Sequence, residues 1–378
     1  MATTILITGS LGYIGSRLSS YLVKHGFRCI GYDTGFFKEC MLYAPQDPPT
    51  RLKDTREFQE EDLGGVDAVV HLAGISNDPF GNLRPELIYD PTRTYAVHVA
   101  RLCKKRGVTF IFASSCSVYG IGRDQLMTEA SETFPQTPYS LNKLQIESDL
   151  QKMSDRSFCP IILRFATVFG LSSRMRFDIV TNMFVGMALT TRRIILNSNG
   201  KPWRPHVHID DVCKAIRCCV EQMPRSDGAL IVNVGDTQQN FQILDVAEMT
   251  KAQVSQCEII FLNAMLPQND QHGMELIRDR KVQDGVDNRT YKVSFELIKE
   301  ILPGFHCDWT VPRGIQSMIE AFKELQLAEG QLKNINFYRL QKLESLLKSG
   351  YLSEDLYWTR HKQPALSLTG WDVARGRS

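Results

Sequence analysis

The chain has 378 residues, 43% hydrophobic and 23% charged, with 44 Lys and Arg against 42 Asp and Glu for a formal net charge of +2. That length allows a main domain with a smaller companion and a sizeable core, and the composition gives no reason to expect long disorder. A charge this close to neutral sets up no global field toward nucleic acid or an anionic membrane, so neither is expected as a partner and any bound anion has to be held locally.

From the start, short β-branched or apolar runs alternate with helical patterns. "TILIT" precedes "YIGSRLSSYLVKHG"; "RCIGYD" and "DAVVHLA" follow, then a helix near residues 85–106 and the run "VTFIFASS". The helix "TPYSLNKLQIESDLQKM" and the run "PIILRFATVFG" carry this βα rhythm to about residue 170. Strands apolar on both sides, such as "AVVHLA" and "TFIFA", suit a parallel sheet covered by helices on both faces. The expected fold is therefore α/β, a Rossmann-like doubly wound parallel sheet with a smaller C-terminal substrate-binding lobe. Residues 1–170 mainly form the nucleotide-binding domain. Residues 171–330 mainly form the lobe, interleaved with the last sheet strands, and residues 331–378 are a helical extension. In "NINFYRLQKLESLLK", residues 334–348, Phe337, Leu340, Leu343 and Leu347 share one helical face and Gly350 follows as a stop, giving a helix docked on its own subunit or on a second one.

The ten cysteines are scattered, with neither the paired spacings of a zinc site nor the density of a disulfide scaffold, so reduced buried thiols and no metal are expected. The N-terminus runs directly into "TTILITGS" without a basic segment and long apolar stretch, and no later run approaches membrane-spanning length; a cytoplasmic protein is expected.

"ITGSLGYIG" places Gly9, Gly12 and Gly15 between the first strand and the first helix. In that order, one glycine permits a tight turn, the next lets a pyrophosphate approach the backbone, and the third lets helix and strand pack closely, with the helix N-terminus facing the phosphates. The second strand ends in Asp33, whose carboxylate can accept both hydroxyls of an adenosine ribose and would repel a 2′-phosphate, which favours NAD over NADP. "PYSLNK" puts Tyr139 and Lys143 at i and i+4 on one helical face. A neighbouring ammonium stabilises a phenolate, so Tyr139 can exchange a proton with a sugar hydroxyl near neutral pH. Ser115, at the end of "VTFIFASS", is placed to donate to the same substrate oxygen.

Together "TGSLGYIG", Asp33, "KDTRE", "VVHLAG", "SSCSVYG", "YSLNK" and "LRFATVFG" resemble the extended short-chain dehydrogenase/reductase family, in particular its nucleotide-sugar epimerases, reductases and dehydratases, over about residues 3–325. The resemblance implies NAD held by Gly9, Leu11, Gly12, Tyr13, Ile14, Gly15 and Asp33. It puts Asp54 and Thr55 near the adenine and Leu72, Ala73 and Gly74 along the nicotinamide half. It makes Ser115, Tyr139 and Lys143 the catalytic trio, the last two also touching the cofactor. It further implies Ser115, Cys116, Thr167 and Asn182 near the sugar or its diphosphate, with Arg204 and Arg289 on the phosphates. A nucleotide-diphosphate sugar is then the substrate and a homodimer the expected assembly.

Departures from the family pattern bear on the reaction. Dehydratases usually carry an acidic residue just after the position of Ser115, where this chain has Cys116 and Ser117, so a 4,6-dehydratase is disfavoured. Thr92 and Thr167 stand where the family often has Asn. Cys116 is either an acid or base for proton exchange or a buried inert thiol. The expected reaction is 4-epimerisation through a transient keto sugar. The alternatives are an NAD(P)H-dependent 4-keto-sugar nucleotide reductase and a non-catalytic dinucleotide sensor, the latter disfavoured because Tyr139 and Lys143 are both present.

Overall fold

A computed structural model describes residues 2–44, 48–76, 85–224, 226–261 and 289–359. Its strands are, in chain order, β1 (Thr4–Thr8), β2 (Arg28–Asp33), β3 (Thr50–Leu52), β4 (Ala68–His71), β5 (Thr109–Ser115), β6 (Ile121–Met127), β7 (Ile161–Phe165), β8 (Thr167–Phe169), β9 (Arg193–Leu196), β10 (Trp203–His208), β11 (Leu230–Val234), β12 (Asn240–Gln242), β13 (Glu258–Phe261) and β14 (Thr290–Val293). Seven of them form one sheet in the order β11-β7-β5-β4-β1-β2-β3. Every pairing in it is parallel.

The sheet is buried on both faces, and β1 shows why. Its five residues are all buried; Ile5 and Ile7 point to one face and Leu6 to the other, as a period of two requires. The first face packs on Leu18 and Leu22 of helix α1 (Tyr13–Lys24) and on Val212 and Ile216 of α5 (Ile209–Gln222). The second packs on Ala96 and Val99 of α2 (Pro85–Arg106) and on Ile146 and Leu150 of α3 (Pro138–Met153).

Strand order reverses at β1, which lies between β2 and β4. At such a switch the loops leaving the carboxyl ends of neighbouring strands diverge and leave a crevice. In-register pairs Thr8 with Tyr32, Thr8 with His71, and His71 with Phe112 bring the ends of β2, β1, β4 and β5 to one level.

The remaining strands form three small sheets, β12-β10-β8, β13-β9 and β14-β6. The first two sit with α4 (Val180–Thr191), α6 (Ile243–Lys251) and the helix Val311–Glu324 around a second core that includes Phe169, Phe177, Phe184 and Phe322, whereas Met127 of β6 and Tyr291 and Val293 of β14 join the core of the large sheet. The apolar pattern at 334–348 is not one helix. A 3-10 turn, Ile335–Phe337, is capped by the Asn334 side chain, and a helix runs separately from Arg339 to Lys348. Leu340, Leu343 and Leu346 are buried against the same chain, and Gly350 ends the element at φ +68°.

Candidate active site

The crevice at the switch is lined by the glycine turn, the end of β2, residues 72–76 after β4, α2, the first turn of α3, and two pieces of chain from outside the sheet. Gly9 has φ +73°, and a Cβ there would lie 2.8 Å from the backbone nitrogen of Ala73. A Cβ on Gly15 would lie 2.2 Å from Gly9 O, so the helix meets the turn with no space for a side chain. Gly12 caps α1 without a side chain, which leaves the first-turn amides facing the crevice.

Asp33 ends β2 and is buried. Its carboxylate accepts Leu11 N–H at 3.0 Å and Gly35 N–H at 2.7 Å. Burial raises its pKa and the two amides oppose that. The residue thus sets the glycine turn as well as lining the crevice, a role the sequence did not disclose. Asp54 accepts from Arg56, whose guanidinium pairs with it at 2.6 Å, and Thr55 is buried beside it.

Thr137 caps α3 by accepting Ser140 N–H at 3.2 Å, and Pro138 occupies the first helical position. Tyr139 therefore falls in the first turn at the crevice wall, one turn before Lys143. The Lys143 ammonium donates to Ala113 O at 2.6 Å and lies 5.8 Å from the centre of the Tyr139 ring. Burial pushes its pKa down to about 8. His71, at the end of β4, meets Thr8 Oγ1 at 3.0 Å and is kept neutral by burial and by the Lys143 charge, its pKa pushed down to about 3. Ser115 Oγ accepts Ser117 N–H at 3.1 Å, which leaves its own proton to donate elsewhere. The adjacent Ser114 hydroxyl donates to buried Glu147, which is paired with Arg164 at 2.7 Å.

The other sequence-predicted residues fall in different places. Leu11 and Tyr13 are buried, and the Tyr13 hydroxyl donates to Gly170 O at 2.7 Å. Asn182 is fully buried, accepting Gly170 N–H at 3.0 Å and donating to Tyr13 Oη at 3.1 Å. Thr167 lies on β8 opposite His206 of β10. Cys116 donates its thiol proton to Arg164 O at 3.2 Å, and burial holds its pKa well above the usual thiol value. Arg204 is buried; its guanidinium donates to the carbonyls of Trp203 and Arg289 and stacks 5.3 Å over Tyr291. Arg204 and Arg289 thus meet each other where β10 approaches β14, away from the glycine turn. Thr92 lines the crevice and donates to Ile88 O at 2.6 Å.

Two further lining residues are ones the sequence analysis did not single out: Arg176, in the run "RMRFD", and Arg339 of the C-terminal helix. Arg176 pairs with Asp178 at 2.8 Å, and Arg339 donates to Ser76 O at 2.9 Å.

Residues 5–235 match the NAD dependent epimerase/dehydratase family. The chain belongs to that family. It is 30% identical over 235 residues to an uncharacterized UDP-glucose epimerase, YtcB, of Bacillus subtilis (strain 168), a match covering 56% of this chain and 71% of that protein. It is 26% identical over 293 residues to UDP-glucose 4-epimerase 1 of Oryza sativa subsp. japonica, covering 68% of this chain and 82% of the relative. Among solved structures, the NAD-dependent NDP-hexosamine 5,6-dehydratase TunA of tunicamycin biosynthesis superposes with a TM-score of 0.71 at 22% identity, over 86% of this chain and 99% of that one. The UDP-glucuronic acid 4-epimerase of Bacillus cereus does so with a TM-score of 0.67 at 20% identity, over 85% and 100%. At these identities the structural likeness is one of fold.

NAD is the family's cofactor, and the residues present fit it. The turn at Gly9–Gly15 is a cradle that a Cβ would fill, open first-turn amides of α1 face it, and a carboxylate stands at the end of β2. Among the described residues no group of His, Cys, Asp and Glu could hold a metal ion, and no helix is long and apolar enough to cross a membrane.

Proposed function

We propose that this protein is an NAD-dependent 4-epimerase of a nucleotide-diphosphate sugar, with a UDP-hexose as the first substrate to try. The observation that carries the proposal is the Tyr139–Lys143 pair at the dinucleotide crevice, in a chain whose relatives include proteins named as UDP-glucose epimerases. Bound NAD would supply a hydride acceptor that also returns the hydride, as oxidation of a ring carbon and reduction on its other face require.

The chain's own groups handle the proton. Tyr139 takes it from the substrate hydroxyl and gives it back, acting as base and then acid. Lys143 holds its charge near the phenol and favours the phenolate. Ser115, already an acceptor for Ser117, donates to the substrate oxygen and fixes its position. Arg204 and Arg289 are the candidates for the sugar's diphosphate, since guanidinium groups give charge-assisted, bidentate bonds to phosphate.

Loss of water from a sugar needs a proton donor and acceptor beside the keto intermediate. At the positions after Ser115 this chain offers a thiol held against a carbonyl and a hydroxyl, and neither replaces a carboxylic acid. That speaks against a 4,6-dehydratase.

The test is incubation of the purified protein with UDP-glucose, UDP-galactose, other nucleotide sugars and the free sugars, read by NMR. The expected result is a mixture of 4-epimers from either direction, without net consumption of added NADH and without reaction of the free sugars. A 4-keto-6-deoxy product, or one-way reduction that consumes NADH, would contradict it.

A further inference from the structure

The family match ends at residue 235, and the expected resemblance ends near residue 325, yet residues from 339 onward form part of the cofactor crevice. We propose that Arg339 binds the pyrophosphate of the cofactor, and that the segment from Arg339 to Thr359 is a strap closing the NAD site. The inference rests on the NAD assignment and not on the 4-epimerase reading.

Charge at the crevice lining is the first support. Arg176 and Arg339 line the crevice and Arg174 lies behind them; Arg174 and Arg339 are 1% and 7% exposed. The guanidinium carbons of Arg174 and Arg339 lie 4.7 and 5.7 Å from the centre of the Phe37 ring, which lines the crevice. The nearest carboxylates are already engaged, Asp178 by Arg176 and Asp33 by the Leu11 and Gly35 amides. Among the described residues Arg174 and Arg339 form no ion pair, and Nε of Arg339 and Nε and Nη2 of Arg174 have no hydrogen-bond partner. Burial and the neighbouring Arg176 push the Arg339 pKa down to about 9, which leaves it charged at neutral pH. A buried, charged guanidinium with an N–H left without an acceptor is a site for an anion.

Position identifies which anion. Arg339 Nη1 is fixed on Ser76, donating to its carbonyl at 2.9 Å and to its hydroxyl at 2.5 Å, just past the end of β4; Phe37 lies just past the end of β2. Those two loops flank the glycine turn at the end of β1, where a dinucleotide's pyrophosphate meets the helix N-terminus. The arginines proposed for the sugar diphosphate, Arg204 and Arg289, stand elsewhere, by Tyr291 and Trp203.

The rest of the segment is fastened over the adenosine end. Trp358 Nε1 donates to Thr34 O at 2.6 Å, and its ring packs 5.5 Å from Phe36. Arg56 donates to the carbonyls of Asp355 at 2.6 Å and Leu356 at 2.8 Å, and lies 3.4 Å from the centre of the Tyr357 ring. Leu343, Leu346, Leu352 and Leu356 make one apolar cluster with Phe36 and Tyr89, and Tyr139 packs against it. Thr34, Phe36 and Leu356 all line the crevice, so a cofactor seated there would leave only after the strap lifts.

Titrating full-length Arg339→Ala and the unaltered protein, both stripped of nucleotide, with NAD, ADP-ribose, adenosine and UDP by calorimetry tests the pyrophosphate contact. Affinity for NAD and ADP-ribose should fall at least tenfold, with adenosine and UDP unchanged, and Arg339→Lys should recover part of the loss. The rise in Tm on adding NAD should shrink while the Tm of the nucleotide-free protein stays the same. Equal losses for adenosine and ADP-ribose would make Arg339 a structural residue only, and a loss confined to UDP would assign it to the substrate; either overturns the proposal. Should Arg339→Ala not fold, Trp358→Ala tests the strap: release of bound NADH, followed by its fluorescence during an NAD chase, should speed up at least tenfold. An unchanged release rate would contradict the strap.

Discussion

One wall of the crevice comes from the ends of sheet strands, where Gly9, Asp33, Leu72 and Ser114 stand at heights set by the parallel ladder. The facing wall comes from Arg176, Arg339 and Leu356, carried by a loop and by a C-terminal segment, none of them in a strand of that sheet. On the first wall, a residue's place follows from its distance along the chain to a strand end. On the second, it follows from packing between segments far apart in the chain, such as Arg56 with Leu356, 300 residues away, and Thr34 with Trp358, 324 away. On the proposals above, the first wall, with Tyr139 and Lys143 of α3 beside it, supplies the turn that receives the dinucleotide and the proton chemistry, and the second supplies retention. That division can be broken by substitution.

The largest effect is expected at Tyr139. Tyr139→Phe removes only the phenolic oxygen, so turnover of the nucleotide sugar should fall by about 10²–10⁴-fold while NAD stays bound. Arg339→Ala should do the reverse and release NAD at little cost to the chemical step of protein saturated with it. If single-turnover kinetics and cofactor content moved together in both variants, the two walls would not be separable.

Next is Lys143, whose folded pKa of about 8 lies below its ordinary 10.5 because of burial. A cation depressed in this way costs stability while charged. The cost is fully present below about pH 8 and is relieved as pH rises from 8 to 10.5. The stability of nucleotide-free protein relative to Lys143→Met should therefore rise by roughly 3 kcal/mol between neutral pH and the upper end of that window. Denaturant midpoints at several pH values would show it, and a difference that stays flat would argue that the ammonium is well solvated.

A smaller effect is expected in the glycine turn. Gly15→Ala forces a methyl to within 2.2 Å of Gly9 O and should cost about 1–3 kcal/mol along with cofactor binding. Gly12→Ala, whose Cβ would stand 3.1 Å from the same oxygen, should be milder. Thermal melts of the pair, with and without NAD, rank them; equal melts would remove the turn's tightness as a constraint.

Asp33→Ala should have the smallest effect on turnover with saturating NAD. It leaves the Leu11 and Gly35 amides without their acceptor and narrows the preference for NAD over NADP, which competition binding would measure. Tighter NADP binding by the unaltered protein would overturn the cofactor preference.

These two walls also mark how far the sequence could be read. Glycines at every third position, an aspartate closing the second strand, and a tyrosine and lysine one helical turn apart are local patterns, and each has a local physical cause. Arg339 has no such pattern, because one arginine in an amphipathic helix reads the same whether it faces water or a phosphate. The run from 334 to 348 suggested a single helix, and the Asn334 cap and the separate start at Arg339 break it in two. Arg204 and Arg289 were readable as cations, but that the Arg204 guanidinium turns toward the Arg289 carbonyl depends on how β10 approaches β14, which spacing does not encode.

The central claim, hydride shuttling to and from one sugar carbon on a cofactor held throughout by the enzyme, has a direct test. UDP-glucose deuterated at C4 should give UDP-galactose with the deuterium still at C4, even in the presence of excess unlabelled NADH. Label lost to solvent or to the added NADH would contradict the account.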